Sequence, residues 1–175
     1  MRAFPHLQRV RKHARSGTAA MELALVMPVL VPMILGITDL SFAYEDQLQL
    51  TAVINAGAQY AFKQGQNATM TSGTLVTNVT ALVTGAMANA SLPGAQVTVT
   101  LNDALDATTM KMGSPTCYCL NVWAVSATCG SICGDNSTAG VWLTISASFT
   151  YTPILSFAAM VIPNPLSQSV TVRLD

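Results

Sequence analysis

Residues 18–38, TAAMELALVMPVLVPMILGIT, form an apolar run of 21 residues in which Glu22 is the single charged side chain. A helix of that length, rising about 1.5 Å per residue, covers about 30 Å, the thickness of a bilayer's hydrocarbon core. The run is therefore expected to cross a membrane once. Charged residues make up only 9% of the chain and its mean hydropathy is +0.45, as suits a membrane protein.

Charge gives the crossing a direction. Arg2, Arg9, Arg11, Lys12 and Arg15 all precede Gly17, whereas Glu22 is the only acidic residue before Asp39. The positive-inside rule keeps such an N-terminus in the cytoplasm and carries the remainder across. Three segments are expected: a basic cytoplasmic leader at 1–17, a transmembrane helix at 18–38 and an extracytoplasmic head at 39–175. A secretory signal peptide has the same basic-then-apolar order, and Ser41-Phe42-Ala43 would suit its peptidase. Its apolar region, however, is about 7 to 15 residues long, shorter than this one.

Glu22 needs an explanation, since a charge inside a membrane costs roughly 2.5 to 3.5 kcal/mol on insertion scales. Gly17 closes the leader and Glu22 is the fifth residue after it. This layout is similar to that of a prepilin, which a membrane-embedded aspartic peptidase cuts on the cytoplasmic side just after the glycine. The wider stretch at 16–65 resembles the TadE-like family, the pseudopilins (minor pilins) of bacterial tight-adherence pili. The resemblance is carried by Gly17, Ala19-Ala20, Glu22 followed by Leu23-Ala24-Leu25, Pro28, Gly36-x-x-Asp39 and an alanine-rich helix ending near Tyr60-Ala61. Beyond it, only YTPILSF from Tyr151 and the terminal Val172-Arg173-Leu174 look similar. Where the family commonly has basic residues late in the helix, this chain has Gly57 and Gln59.

The resemblance implies a non-enzymatic pilus subunit of the bacterial inner membrane, single-pass, with a periplasmic head that becomes extracellular in a pilus. It implies a substrate of prepilin peptidase, cut between Gly17 and Thr18, whose partners are other pilin and pseudopilin subunits and the pilus assembly platform. The cut would give Thr18 a free amine with a reference pKa of about 7.7 to 8.0. That cation would lie one turn from Glu22 on its own helix, or within reach of a neighbour's Glu22 in a staggered bundle. Pairing offsets the carboxylate's desolvation, and between subunits it would fix their axial register. The alternative is a Glu22 that snorkels to the headgroups. Ala20, Ala24, Pro28, Pro32 and Gly36 form a stripe of small or ring-closed residues suited to close helix approach, with a bend expected between Ala24 and Pro32.

After Asp39 the pattern stays helical but mixed. Tyr44, Leu48, Ala52, Ala56 and Tyr60 recur every four residues, with Gln47, Gln49, Asn55 and Gln59 between them. One helix is expected over about residues 18–64, half in lipid and half on the head, followed by a second near 72–90 with Leu75, Val76, Val79, Leu82, Val83, Ala86 and Met87 on one side. The period then becomes two in Val97-x-Val99-x-Leu101, in alternate residues from Val141 to Tyr151, and in Val170-x-Val172-x-Leu174. A further strand is expected over 118–125. The fold class is α+β and pilin-like: a long N-terminal transmembrane and amphipathic helix, plus a second helix, packed on a small antiparallel sheet.

Cys117, Cys119, Cys129 and Cys133 fall within seventeen residues on the side placed outside the cytoplasm, where disulfides are the default. A hairpin between Trp123 and Ala127 would favour the nested pairs Cys119–Cys129 and Cys117–Cys133. The competing reading, a zinc site of four thiolates, fits poorly, because C-x-C and C-x3-C are not the usual paired C-x2-C. His6 and His13 both lie in the leader, so a processed chain has no histidine for catalysis or metal binding. Asp103 and Asp106 could form an acid/base pair but sit in a polar turn, which reads as a solvated loop. No enzyme activity, metal or cofactor is expected. Without residues 1–17, Lys63, Lys111 and Arg173 face eight acidic residues, so nucleic acid is not an expected partner. The competing function is a bitopic anchored module that keeps its leader and binds a ligand through its head.

Overall fold

Helix α1 (Leu7–Gly65) runs unbroken from the leader through the apolar run into the head, passing through both Pro28 and Pro32. The computed structural model describes residues 7–104, 110–120, 122–155 and 160–174. The helix starts at Leu7 rather than near Thr18, because residues 7–16 are mostly good helix formers with no Gly or Pro among them. Every side chain over 19–34 is exposed, so this half of α1 projects bare from the head.

The buried face of α1 begins at Asp39 and continues through Ala43, Leu50, Ile54, Gly57, Ala58 and Ala61. Tyr44, Leu48, Ala52 and Ala56 point outward instead. A row of strict four-residue steps advances about 40° per step on a helix of 3.6 residues per turn, so the four steps from Tyr44 to Tyr60 turn it through about 160°. It begins at an exposed Tyr44 and reaches the core's flank only at a half-buried Tyr60.

Helix α2 (Ser72–Asn89) starts at Thr71, whose hydroxyl accepts the Thr74 N–H at 3.3 Å as an N-cap. It buries Leu75, Val79, Val83 and Met87 of the face expected from its period, with Val76, Leu82 and Ala86 partly buried beside them. The strands are β1 (Gln96–Leu101), β2 (Cys117–Cys119), β3 (Val122–Ala127), β4 (Trp142–Phe149) and β5 (Leu166–Arg173). β1, β4 and β5 form an antiparallel sheet in the order β1-β4-β5. Its registers align Leu101–Leu143–Val172 and Val99–Ile145–Val170 across the strands, and α1 and α2 pack on the sheet along these apolar rows. The opposite face carries Thr98, Thr100, Thr144, Ser146, Ser169 and Thr171, with the Thr144–Thr171 and Ser146–Ser169 hydroxyls hydrogen-bonded across strands at 3.1 Å.

The strand expected over 118–125 is instead a hairpin of β2 and β3 that reverses between Cys119 and Val122. This changes the disulfides. The pairs are Cys117–Cys129 and Cys119–Cys133, interleaved rather than nested. Cys117 lies opposite Ala127, next to the segment that leads to Cys129, whereas Cys119 lies opposite Val122 at the turn end and is carried away from Cys129. All four sulfurs are consumed, which leaves no thiolates for zinc. The hairpin is tied to the sheet where Trp142 donates its indole N–H to the Tyr118 carbonyl at 3.1 Å. Buried Asn102 supports the same corner, accepting the Trp142 N–H at 2.8 Å and donating to the Thr116 carbonyl at 3.4 Å.

Gly57 sets how closely α1 approaches α2. A Cβ there would lie 2.5 Å from Val83 Cγ2 and 3.3 Å from Ile145 Cδ1. Ile145 can swing its terminal methyl, but Val83 is β-branched in a helix and nearly fixed at χ1. Overpacking of this kind costs about 1–3 kcal/mol, against about 1 kcal/mol of helix propensity gained over glycine. Gly57→Ala is therefore expected to lower the stability of the detergent-solubilised chain by up to about 2 kcal/mol. Adding Val83→Ala should cost less than it does in the wild-type background. Strict additivity in this double-mutant cycle, read by thermal unfolding, would show that the two sites do not press on each other.

The membrane-border clamp and the candidate assembly residues

Asp39 is the residue immediately after the apolar run, and it stands on the buried face of α1 with 0% exposure. A carboxylate so placed needs donors, and the segment after β4 supplies three. The Tyr151 hydroxyl donates to Asp39 Oδ1 at 2.8 Å, the Ile154 N–H donates to the same oxygen at 3.0 Å, and the Leu155 N–H donates to Oδ2 at 2.9 Å. The Tyr151 oxygen also lies 3.1 Å from the Asp39 carbonyl oxygen. Asn164 closes the other side of the loop, donating from Nδ2 to the Tyr151 carbonyl at 3.0 Å. Ala43, Tyr151, Ile162 and Leu166 form a small apolar cluster at this end of the head, separate from the main core.

Burial alone would raise the Asp39 carboxyl, but the backbone N–H groups of Ile154 and Leu155 and the Tyr151 hydroxyl outweigh it and hold the group below the usual carboxylate value. Burial, then the bond to Asp39 and its charge, push the Tyr151 phenol up to about 12. Asp46, half-buried above the clamp, is raised by burial and by its neighbour Glu45.

Glu22 lies apart from this clamp, exposed on the bare part of α1. Gly17 and Thr18 fall within α1 by their backbone, and their side-chain surroundings lie outside the described residues. The four cysteines come together in two disulfides at the β2–β3 hairpin. Asp103 is exposed in a short helical turn (Asn102–Ala104), and Asp106 lies outside the described residues. The clamp itself was not expected. Asp39 and YTPILSF were each singled out in the sequence, but nothing there linked two segments 112 residues apart. One signal was available: Asp39 shares a helix face with Ala43, Leu50 and Ile54, so its charge had to be met from within the head.

Replacing Asp39 by Asn puts an amide N–H2 where one of these donors needs an acceptor. Asp39→Asn is expected to speed hydrogen exchange at the Ile154 and Leu155 amides while leaving exchange in α2 and β4 unchanged. The pH dependence has a definite sign. A lowered folded-state pKa stabilises fully above the ordinary value of 3.8 and is lost as pH falls through the lowered value. The raised Asp46 acts oppositely, its unfavourable charge being relieved while pH is still above 3.8. Acidification toward pH 4 should therefore leave the wild-type loop closed, with opening confined to lower pH. An early opening in wild type would mean that the carboxylate does not hold the loop.

Residues 17–59 match the family model described as TadE-like protein. No curated protein and no solved structure gives a significant match. The matched stretch takes in Gly17, Glu22, Asp39 and the buried Gly57, and so joins the apolar run to the part of α1 that packs in the head. The chain carries a TadE-like segment, from Gly17 to the head-packed turns of α1.

Proposed function

We propose that this protein is a minor pilin or pseudopilin, incorporated into or priming a tight-adherence, type IV-like pilus. The observation that carries the reading is the TadE-like match over residues 17–59. Support comes from the form of α1, one helix that is bare over 19–34 and keeps an exposed row at Leu40, Tyr44 and Leu48 beside the head. In a bundle of such helices, neighbouring subunits would cover that row. In this reading residues 1–17 are a cytoplasmic leader removed by prepilin peptidase, residues 18–38 cross the inner membrane, and residues 39–175 form a periplasmic head that is extracellular once in a pilus. Other pilins, pseudopilins and the assembly platform are the partners, nucleic acid is not one, and no reaction is catalysed.

Processing is the first test. N-terminal sequencing of the mature protein should give Thr18, and Gly17→Leu should leave a full-length membrane protein. Met1 as first residue of the wild-type protein would favour the anchored binding module instead.

Glu22 is the second. Removing its charge lowers the insertion cost, so Glu22→Ala should insert and be cut. A neighbour's Thr18 amine would then enter the apolar bundle unpaired, at a cost of about 3–5 kcal/mol. At about 1.4 kcal/mol per factor of ten, recovery in sheared pili or in a cross-linked priming complex should fall by roughly two orders of magnitude or more. Normal co-assembly of Glu22→Ala would mean that Glu22 only snorkels.

A further inference from the structure

Among the described residues, the loop between β4 and β5 presents three large apolar side chains that the head leaves bare: Ile154 is 62% exposed, Met160 89% and Val161 76%. They are held there by fixed points on either side. The Ile154 N–H is bonded to Asp39, and Ile162 is buried with Ala43, Tyr151 and Leu166. Val161 and Ile162 share an open apolar groove with Met33, Gly36, Ile37 and Leu40 of α1.

That groove gives the loop a depth. Met33 and Gly36 precede Asp39 by six and three residues, which is about 9 and 5 Å along the axis at about 1.5 Å per residue. Both lie inside the apolar run. The chemistry of the loop agrees, since no Asp, Glu, Lys, Arg or His occurs from residue 136 to residue 172. The carboxylate hydrogen-bonded to it, that of Asp39, is enclosed by its three donors.

We propose that this loop is a second membrane contact, in which Ile154, Met160 and Val161 enter the extracytoplasmic leaflet beside α1. Irregular backbone cannot lie in lipid hydrocarbon, where its N–H and C=O groups would go unpaired. The loop therefore sits at the boundary of headgroups and acyl chains, the zone of about 5–10 Å that interfacial apolar elements occupy. A single helix leaves the head free to tilt over the bilayer, and a second contact, fixed to the helix through Asp39, holds it at one angle. The proposal rests on residues 18–38 spanning a bilayer.

The test uses the full-length protein in phosphatidylcholine vesicles carrying bromine at a shallow or a deep acyl position. Three variants are compared after subtracting the emission of Trp123 and Trp142: Val161→Trp for the loop, Leu25→Trp for the span, and Ser169→Trp for the outer face of the sheet. Val161→Trp should emit to the blue and lose more emission to shallow than to deep bromine, Leu25→Trp should be quenched by deep bromine, and Ser169→Trp should be quenched by neither. Quenching of Leu25→Trp without any of Val161→Trp overturns the loop contact and leaves the span standing. Failure of both variants removes the span and the proposal with it. A blue-shifted Val161→Trp that no bromine quenches means that a protein surface, such as a second copy, covers the loop, and this also overturns the proposal. Quenching of Ser169→Trp would show the whole head lying on lipid rather than a loop entering it.

Discussion

The hydrogen bonds on Asp39 decide where the lipid-compatible half of α1 stops and the head begins. Aspartate suits this place for a geometric reason: its short side chain keeps both oxygens close to the helix, where two successive backbone N–H groups, from Ile154 and Leu155, can reach them. A carboxylate bonded in this way is stable without water, so it can stand at the edge of an apolar run on the buried face of the helix. The Tyr151 hydroxyl completes the set and brings its ring into the small cluster with Ala43, Ile162 and Leu166. The loop after β4 is thereby fixed to the helix at the end of its apolar run, and the sheet that carries this loop is oriented with it.

Above the clamp, packing depends on small residues. Gly57, Ala58 and Ala61 line the buried face and let α1 lie close to α2, while Leu50 and Ile54 fill the space nearer the border. The same geometry explains a departure from the family resemblance. A long cationic side chain at position 57 would be driven into Val83, so glycine there follows from this chain's own core. Gln59, by contrast, is exposed, and only at that position does the lack of a basic residue alter the outward surface.

Much of the architecture could be read from periodicity. The long helix, the Leu75–Val79–Val83–Met87 row and the three strands of the main sheet all announce themselves by spacing. What spacing could not give was phase, reversal and distant pairing. The conspicuous aromatic and aliphatic row from Tyr44 starts on the outward side of α1, whereas the equally spaced row from Leu75 lies on the buried side of α2, and a period of four alone does not say which. The sequence between Cys119 and Val122 has no glycine or proline to mark the β2–β3 reversal, and without the reversal the disulfide pairing could not be deduced. Asp39 meets Tyr151 only because β4 runs back toward the bare half of α1, a fact of topology that a single sequence does not encode locally.

The two acids of the proximal helix are met in different ways. Glu22 and Asp39 are seventeen residues apart on one continuous helix, about 25 Å at about 1.5 Å per residue, so in the orientation proposed above they would stand near opposite edges of a bilayer. Asp39 draws all three of its donors from its own chain and needs no partner molecule. Glu22 lies on the stretch that the head leaves bare, so whatever balances it comes from the α-amine created by cleavage, from a neighbouring subunit or from the headgroups. An acid satisfied internally can only shape the fold, because changing it alters the head before any partner arrives. An acid left open can make assembly conditional, because a charge that is expensive to leave unpaired in lipid favours whichever arrangement brings a cation to it. If processing creates that cation at Thr18, an uncut chain lacks the group its neighbours need, and the same cut that releases the leader also makes the subunit competent to assemble.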